Sequence, residues 1–177
     1  MNVPLADLRA QYLTIKPEID AAIQSILDSS QFILGKAVAD FELAFANAHN
    51  TKHCIAVGSG TDALHVSLWA LGIGEGDTVV TTPFTFIATT EAISLCGARP
   101  LFVDIDSRTY NMDPQKLKDL LSRSVVTPGS GPKAIVPIHL YGQSAEMDEI
   151  MKIAQEYYVP VIEDACQAHL ATYAGKC

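Results

Sequence analysis

The chain has 177 residues, 49% of them hydrophobic and 18% charged, a composition that excludes disordered, collagen-like and disulfide-rich proteins. Twelve basic and twenty acidic side chains give a formal net charge of -8, the wrong sign for binding nucleic acid or an anionic membrane surface. The four cysteines are too dispersed for a structural zinc site, and no stretch of 18 apolar residues occurs. We therefore expect a soluble, cytoplasmic protein that binds no metal.

Two amphipathic helices are predicted before the first strand. Pro17 can occupy the first turn of a helix, and apolar residues then recur on one face as far as Asp28. A second helix is predicted to begin near Lys36, where apolar residues are spaced three or four apart. We assign residues 1–30 to an amino-terminal helical segment and residues 31–177 to a larger domain.

Beyond these helices, short apolar runs alternate with helical patterns. The predicted strands are HCIAV (53–57), DTVVTT (77–82), RPLFVD (99–104), KAIVPI (133–138) and VPVIED (159–164). The predicted helices between them cover 61–71, 87–97, 113–123 and 144–158. Asp113 is the predicted N-cap of the third, with Pro114 at its first position. This alternation predicts an α/β fold with a parallel sheet and helices on both of its faces.

The loop after the first predicted strand reads GSGTDAL (58–64). Glycines let backbone N–H groups approach an anion, the following helix directs its positive end at it, and Thr61 adds a hydroxyl. The pattern G-x-G-x-x-A also fits a dinucleotide-binding loop, and a tight turn capped by Thr61 explains it equally well. The loop alone therefore leaves an anion site, a dinucleotide site and a simple turn open.

A dinucleotide site would need an acidic residue at the end of the second strand. That strand end reads TTPFTF (81–86), and the nearest acids, Glu75 and Asp77, precede the strand. The segment instead offers aromatic surface that suits a flat ring. We expect Phe84 to lie in the core, and the residues alone leave Phe86 open between core packing and contact with a flat ring.

The third and fourth strand ends carry weaker signals. Asp104 and Asp106 could bind a cation, but a capped loop accounts for them better. His139 and Tyr141 follow the fourth strand and could contact a ligand or simply pack beside the turn. No role is assigned to either.

The fifth predicted strand ends in two adjacent acids, Glu163 and Asp164, directly after its apolar residues. Strand alternation places them on opposite sides, so only one can face a ligand. If the ligand were pyridoxal 5′-phosphate (PLP), that acid would pair with the protonated pyridine nitrogen.

Three segments taken in order, 58–106, 134–142 and 159–169, resemble the DegT/StrS family of PLP-dependent sugar aminotransferases. The segments VPLADLRAQY (3–12) and FILGKAVADFELAFA (32–46) also look like the amino-terminal region of that family. The resemblance implies the large domain of a fold-type I aminotransferase, with a mostly parallel sheet and flanking helices, and PLP as cofactor.

Matching positions carry the family's cofactor-binding roles onto this chain. By resemblance, Gly60 and Thr61 would hold the phosphate and Phe86 would stack on the pyridine ring. Asp164 would pair with the ring nitrogen, and Gln167 would meet the ring hydroxyl.

Two departures from the family pattern affect the expected activity. Cys166 stands where a small residue, usually Ala, covers the ring, a mild change because Cys is also small. The lysine that forms the Schiff base is expected beyond Cys177, and Lys176 lies in the turn before that segment, so no catalytic residue is assigned in this chain. We expect an amino-terminal portion of a longer enzyme, truncated before the small domain and inactive alone.

The resemblance implies transfer of an amino group from an amino acid such as glutamate to a keto-sugar, typically nucleotide-linked, by a homodimer. One alternative is a PLP-dependent sugar dehydratase of the same family, in which histidine replaces the lysine. The other is a non-catalytic remnant that binds a ligand or partner without turnover.

Overall fold

The computed structural model describes residues 4–124 and 131–176. The chain divides into two compact units, Met1–Ala56 and Val57–Cys177. We call them the amino-terminal unit and the sheet unit. The division predicted after residue 30 falls between the two helices of the amino-terminal unit and stays a prediction.

The amino-terminal unit consists of helices α1 (Leu8–Ser29) and α2 (Lys36–Ala48). The predicted start of the first helix at Pro17 is wrong, because the Asp7 carboxylate accepts a hydrogen bond from Ala10 N at 2.9 Å and caps the helix earlier. Pro17 therefore lies inside α1. No helix in the described part of the chain is long and apolar enough to cross a membrane.

The sheet unit is built on three parallel strands, β1 (Thr78–Thr81), β2 (Arg99–Phe102) and β3 (Ala134–Ile135), in the order β2-β1-β3. The fifth predicted strand lies beside β3 and pairs in parallel through the bridges Ile135 to Val161 and Ile138 to Asp164. Four of the five predicted strands therefore contribute to one parallel arrangement.

The first predicted strand, residues 53–57, is not a strand in the structure. Among the described residues it has no neighbouring strand to pair with, and the side chain of Ile55 is exposed. Its Ala56 N–H donates instead to the Glu42 carboxylate, 2.8 Å away on α2. An apolar run is thus insufficient for a strand when its backbone groups lack a paired strand.

Four helices follow the loops of the sheet unit, as predicted: α3 (Gly60–Ala70), α4 (Ala88–Leu95), α5 (Pro114–Ser124) and α6 (Met147–Tyr157). The capped start of α5 is also confirmed. The Asp113 carboxylate accepts hydrogen bonds from Gln115 N at 2.9 Å and Lys116 N at 3.2 Å.

The two faces of the sheet are covered by different helices. Val80 of β1 packs in a core with Leu117 and Leu121 of α5, while the adjacent Val79 packs in a second core with Leu68 of α3 and Ile93 of α4. Consecutive strand residues point to opposite faces, so both faces bury apolar side chains. This packing on both faces holds the strands in place, and with them the edge of the sheet at which their carboxyl ends meet.

Candidate functional site

A cavity of about 240 Å³ opens at the carboxyl ends of the strands. All five residues that the family resemblance assigns to cofactor binding line it: Gly60, Thr61, Phe86, Asp164 and Gln167. They come from α3, the loop after β1, the end of the fifth predicted strand and the residues that follow it. The structure therefore brings them to one place, and their contacts with a ligand stay a prediction.

Gly60 begins α3 at a position where the Cys166 side chain would crowd an added Cβ atom. A Cβ atom there would lie 2.7 Å from Cys166 Sγ, closer than real Cβ contacts allow. The helix is capped by Ser59, whose hydroxyl accepts from Asp62 N at 3.1 Å, so the alternative of Thr61 as the cap is wrong. The start of α3 therefore presents bare backbone to the cavity.

Asp164 is the buried acid of the cavity, with 6% of its surface exposed. Its Oδ2 accepts a hydrogen bond from Thr89 Oγ1 at 2.8 Å, and its Oδ1 accepts one from Cys166 N at 3.2 Å. A carboxylate in a largely apolar cavity requires such donors, and it favours a cationic group on any ligand.

Glu163 points away from the cavity, which confirms the predicted alternation. Its carboxylate lies 2.8 Å from Nε2 of the buried His139. Because His139 Nδ1 accepts from Ala145 N at 3.1 Å, the ring proton is on Nε2 and is donated to Glu163. This hydrogen bond lowers the pKa of the Glu163 carboxyl despite partial burial. The pair joins the fifth predicted strand to the turn after β3.

Gln167 has a fixed amide orientation. Its Oε1 accepts from the backbone N–H of Tyr141 at 2.9 Å, which leaves the Nε2 protons as the donors it can offer. Tyr141 and Gly142 lie in a tight turn with φ of 55° and 87°. Asn111 holds that turn, since its Oδ1 accepts from Leu140 N at 3.1 Å.

Thr85, Thr89 and Asn111 are the residues that the sequence analysis missed. Thr85 and Thr89 line the cavity, and their hydroxyl oxygens lie 3.0 Å apart. Their spacing of four residues, from the loop before the predicted helix into its first turn, is the sequence signal that could have indicated them. Asn111 carries no such signal, because it acts on a turn far along the chain.

Cys166 lines the cavity beside Asp164 and retains its proton. Partial burial, a hydrogen bond to Asp164 and repulsion from that carboxylate raise the pKa of the thiol to about 11. Since the thiolate is the nucleophilic form, Cys166 is a poor nucleophile at neutral pH.

The two phenylalanines after β1 differ in their surroundings. Phe86 lines the cavity with an exposed ring. Phe84 is 42% exposed and packs on Tyr110 with ring centroids 5.6 Å apart, so the prediction that it lies in the core is wrong. It belongs to a loop after the strand has ended, where strand alternation no longer directs a side chain inward.

The remaining polar residues of the sequence analysis lie outside the cavity. Asp106 Oδ1 accepts from Arg108 N and Thr109 N at 2.9 and 3.0 Å, which confirms the capped loop. Lys176 closes a two-residue turn through a 3.0 Å hydrogen bond from its N–H to the Tyr173 carbonyl, and it does not line the cavity. No group of metal-ligating side chains occurs within residues 4–124 and 131–176.

The comparison with known sequences extends over nearly the whole chain. The model of the DegT/DnrJ/EryC1/StrS aminotransferase family matches residues 13–177. The chain is 46% identical to the "Pleiotropic regulatory protein" of Geobacillus stearothermophilus over 177 residues, all of this chain and 46% of that protein. It is 47% identical to the UDP-2-acetamido-2-deoxy-3-oxo-D-glucuronate aminotransferase of Pseudomonas aeruginosa over 174 residues, 98% of this chain and 46% of that enzyme. It thus spans about half the length of these relatives.

Solved structures agree with the predicted fold class. The structure of S. venezuelae DesV in complex with a ketimine intermediate matches with a TM-score of 0.91 and 39% identity, over 98% of this chain and 45% of that one. A GDP-4-keto-6-deoxymannose-3-dehydratase with a trapped PLP-glutamate geminal diamine matches with a TM-score of 0.78 and 34% identity, over 89% and 40%. The prediction of a fold-type I large domain is therefore confirmed.

Proposed function

Because the chain belongs to the DegT/DnrJ/EryC1/StrS aminotransferase family, we propose that it is the cofactor-binding part of a PLP-dependent aminotransferase. The enzyme transfers an amino group from an amino acid such as glutamate to a nucleotide-linked keto-sugar. The observation that carries this proposal is the buried Asp164 carboxylate, held at the base of a cavity by two donors. The same proposal places the complete protein in the cytoplasm as a homodimer.

The residues around the cavity fit PLP in charge and shape. A phosphate needs backbone N–H groups without side chains in front of them, and the start of α3 at Gly60 offers that, with the Thr61 hydroxyl beside it. The exposed ring of Phe86 provides an apolar plane for a flat ligand. Gln167 offers amide protons, since its oxygen is occupied by Tyr141 N–H, and these suit the ring hydroxyl oxygen.

Bound PLP supplies an electron sink for amino-group transfer. The Asp164 carboxylate holds a proton at the ring nitrogen, which keeps that ring electron-poor. The Gly60 backbone would hold the phosphate, and the Phe86 ring would cover one face of the pyridine ring and exclude water from it. The protonated Cys166 thiol, with its pKa of about 11, packs without attacking an electrophile.

The alternatives are distinguished by the product formed. The P. aeruginosa relative at 47% identity is an aminotransferase, which favours an aminated sugar product. The similar dehydratase structure has a TM-score of 0.78, against 0.91 for the DesV structure. A dehydratase would release a deoxygenated sugar from a keto-sugar nucleotide, and a non-catalytic remnant would form neither product.

The proposal is tested with Asp164→Asn in the complete protein of which this chain is part. The neutral amide cannot stabilise a protonated ring nitrogen, so we expect amination to fall by about a hundredfold or more, the scale that loss of one charge-stabilising group gives. The readouts are the aminated sugar by mass spectrometry and the absorbance of bound PLP.

Asp106→Asn is the matched control, because Asp106 caps a loop outside the cavity. We expect it to retain nearly full activity. Tight NAD binding by a protein that shows no PLP absorbance after reconstitution would overturn the proposal in favour of a dinucleotide site. Near-normal activity of Asp164→Asn would remove Asp164 from its role.

A further inference from the structure

Two threonine hydroxyl groups form a hydrogen-bonded chain that ends at the buried Asp164 carboxylate of the cavity. Thr89, the second residue of α4, donates its hydroxyl proton to Asp164 Oδ2 at 2.8 Å. The Thr85 hydroxyl oxygen lies 3.0 Å from that of Thr89. Thr89 is 2% exposed and Asp164 is 6% exposed, so little water competes for this contact.

The direction of hydrogen bonding along this hydrogen-bonded chain follows from proton counting. A hydroxyl group has one proton to donate, and that of Thr89 is given to the carboxylate. Thr85 must therefore be the donor in its contact with Thr89. The bonds run from Thr85 to Thr89 to Asp164, so each one polarises and strengthens the next.

The two oxygens of Asp164 are held from two different elements. Thr89 on α4 holds Oδ2, and the backbone N–H of Cys166 holds Oδ1. A carboxylate offers about four acceptor positions, and Thr89, the Cys166 N–H and the Cys166 thiol occupy three of them. The carboxylate therefore has a fixed plane and a free acceptor site, which is the arrangement a cationic ring nitrogen requires.

We infer that Thr89 is a positioning residue for the proposed cofactor site: it orients the Asp164 carboxylate for the ring nitrogen of PLP, and Thr85 supports it. This inference rests on the proposed function. A purely structural role for Thr89, such as packing at the start of α4, predicts that its hydroxyl is dispensable for recognising the ring nitrogen. The two roles therefore differ in one measurable property.

That property is the preference for PLP over a deaza analogue in which a C–H group replaces the ring nitrogen. Dissociation constants for both compounds are measured on the apo form of the complete protein. We expect Thr89→Val, which keeps the shape of the side chain, to weaken PLP binding about ten- to hundredfold, the range for losing a hydrogen bond to a charged group. Binding of the deaza analogue should not change.

Three further variants complete the design. Thr89→Ser retains the hydroxyl and should restore the wild-type preference. Thr85→Val should give a smaller loss, because it removes only the supporting donor. Thr90→Val is the matched control, since the neighbouring Thr90 hydroxyl donates to the Ile87 carbonyl and not to the cavity.

The outcomes separate failure of the inference from failure of the proposed function. If Thr89→Val weakens PLP and its deaza analogue equally, or weakens neither, the positioning role is wrong while the PLP site stands. If the wild-type protein binds neither compound, the proposed function itself is overturned, and the inference with it.

Discussion

The two units of the chain use similar apolar patterns to very different effect. Helix α1 repeats apolar residues on one face, yet none of its side chains is buried. Helix α6 of the sheet unit is half as long and buries Met147, Ile150, Ile153 and Ala154. The comparison teaches that helical periodicity predicts a helix, while a core requires a second surface that fits the apolar face.

The largest expected effect contrasts the two units directly. Leu121 of α5 is 0% exposed, and its truncation to Ala leaves a cavity in the core against β1. We expect Leu121→Ala to lower the free energy of unfolding by about 2–5 kcal/mol. Ile23→Ala in α1, where Ile23 is 54% exposed, should cost within about 0.5 kcal/mol.

Chemical denaturation of the complete protein, followed by circular dichroism, measures both changes. Equal losses of unfolding free energy for Leu121→Ala and Ile23→Ala would contradict the difference between the two units, since they would mean that α1 is buried in the assembled protein. A small loss for Leu121→Ala alone would contradict the assignment of the core between α5 and the sheet.

The second prediction concerns the crowded start of α3 in the sheet unit. A Cβ atom on Gly60 would meet Cys166 Sγ at 2.7 Å, but the Cys166 Cβ lies 3.7 Å away, an ordinary contact. Gly60→Ala should therefore lower the free energy of unfolding by about 1–3 kcal/mol, as overpacking does. The double variant with Cys166→Ala should recover most of that loss.

A double-mutant cycle of thermal unfolding without PLP measures this coupling. Gly74→Ala is the control, because its Cβ atom would have only the Cys96 carbonyl oxygen nearby, at 4.0 Å. Equal destabilisation by Gly60→Ala with Cys or Ala at position 166 would show that the close contact does not determine the glycine.

Much of the sheet unit could be predicted from local sequence because its signals are local. Asp113 and Pro114 indicate the start of α5, and strand ends indicate where polar side chains gather. The carboxyl ends of parallel strands meet at one edge, which predicts that these strand ends lie together, and the family resemblance singles out Asp164 and Phe86 among their residues. The strand predicted at 53–57 failed because pairing depends on another segment of chain.

The positioning contacts of the site could not be predicted for a physical reason. Thr89 and Asp164 are 75 residues apart in sequence, and Asn111 and Leu140 are 29 apart. Such hydrogen bonds arise only when helices pack on the sheet, so neither partner has a local pattern. The same packing raises the pKa of the Cys166 thiol. The substitution of Cys for the usual Ala at this position does not by itself indicate that shift.

The smallest expected effect concerns the reactivity of that thiol. With its pKa raised from 9.0 to about 11, the thiolate of Cys166 forms only as the pH rises through that value. At pH 8 its thiolate population is about a hundredfold below that of an ordinary thiol, and the greater nucleophilicity of a more basic thiolate recovers up to about tenfold. We therefore expect alkylation by iodoacetamide about tenfold slower than that of glutathione.

Peptide mass mapping of the folded apo protein measures this rate at Cys166 between pH 7 and pH 10.5. The rate should still be rising at the upper limit, whereas a thiol of ordinary pKa reaches its plateau earlier. The Asp164→Asn variant isolates the contribution of the Asp164 carboxylate, because the neutral amide no longer repels the thiolate. Its alkylation should be faster at every pH below 10. Wild-type labelling that is half-maximal near pH 9 and level by pH 10.5 would contradict the raised pKa of the Cys166 thiol, to which burial contributes most and Asp164 next.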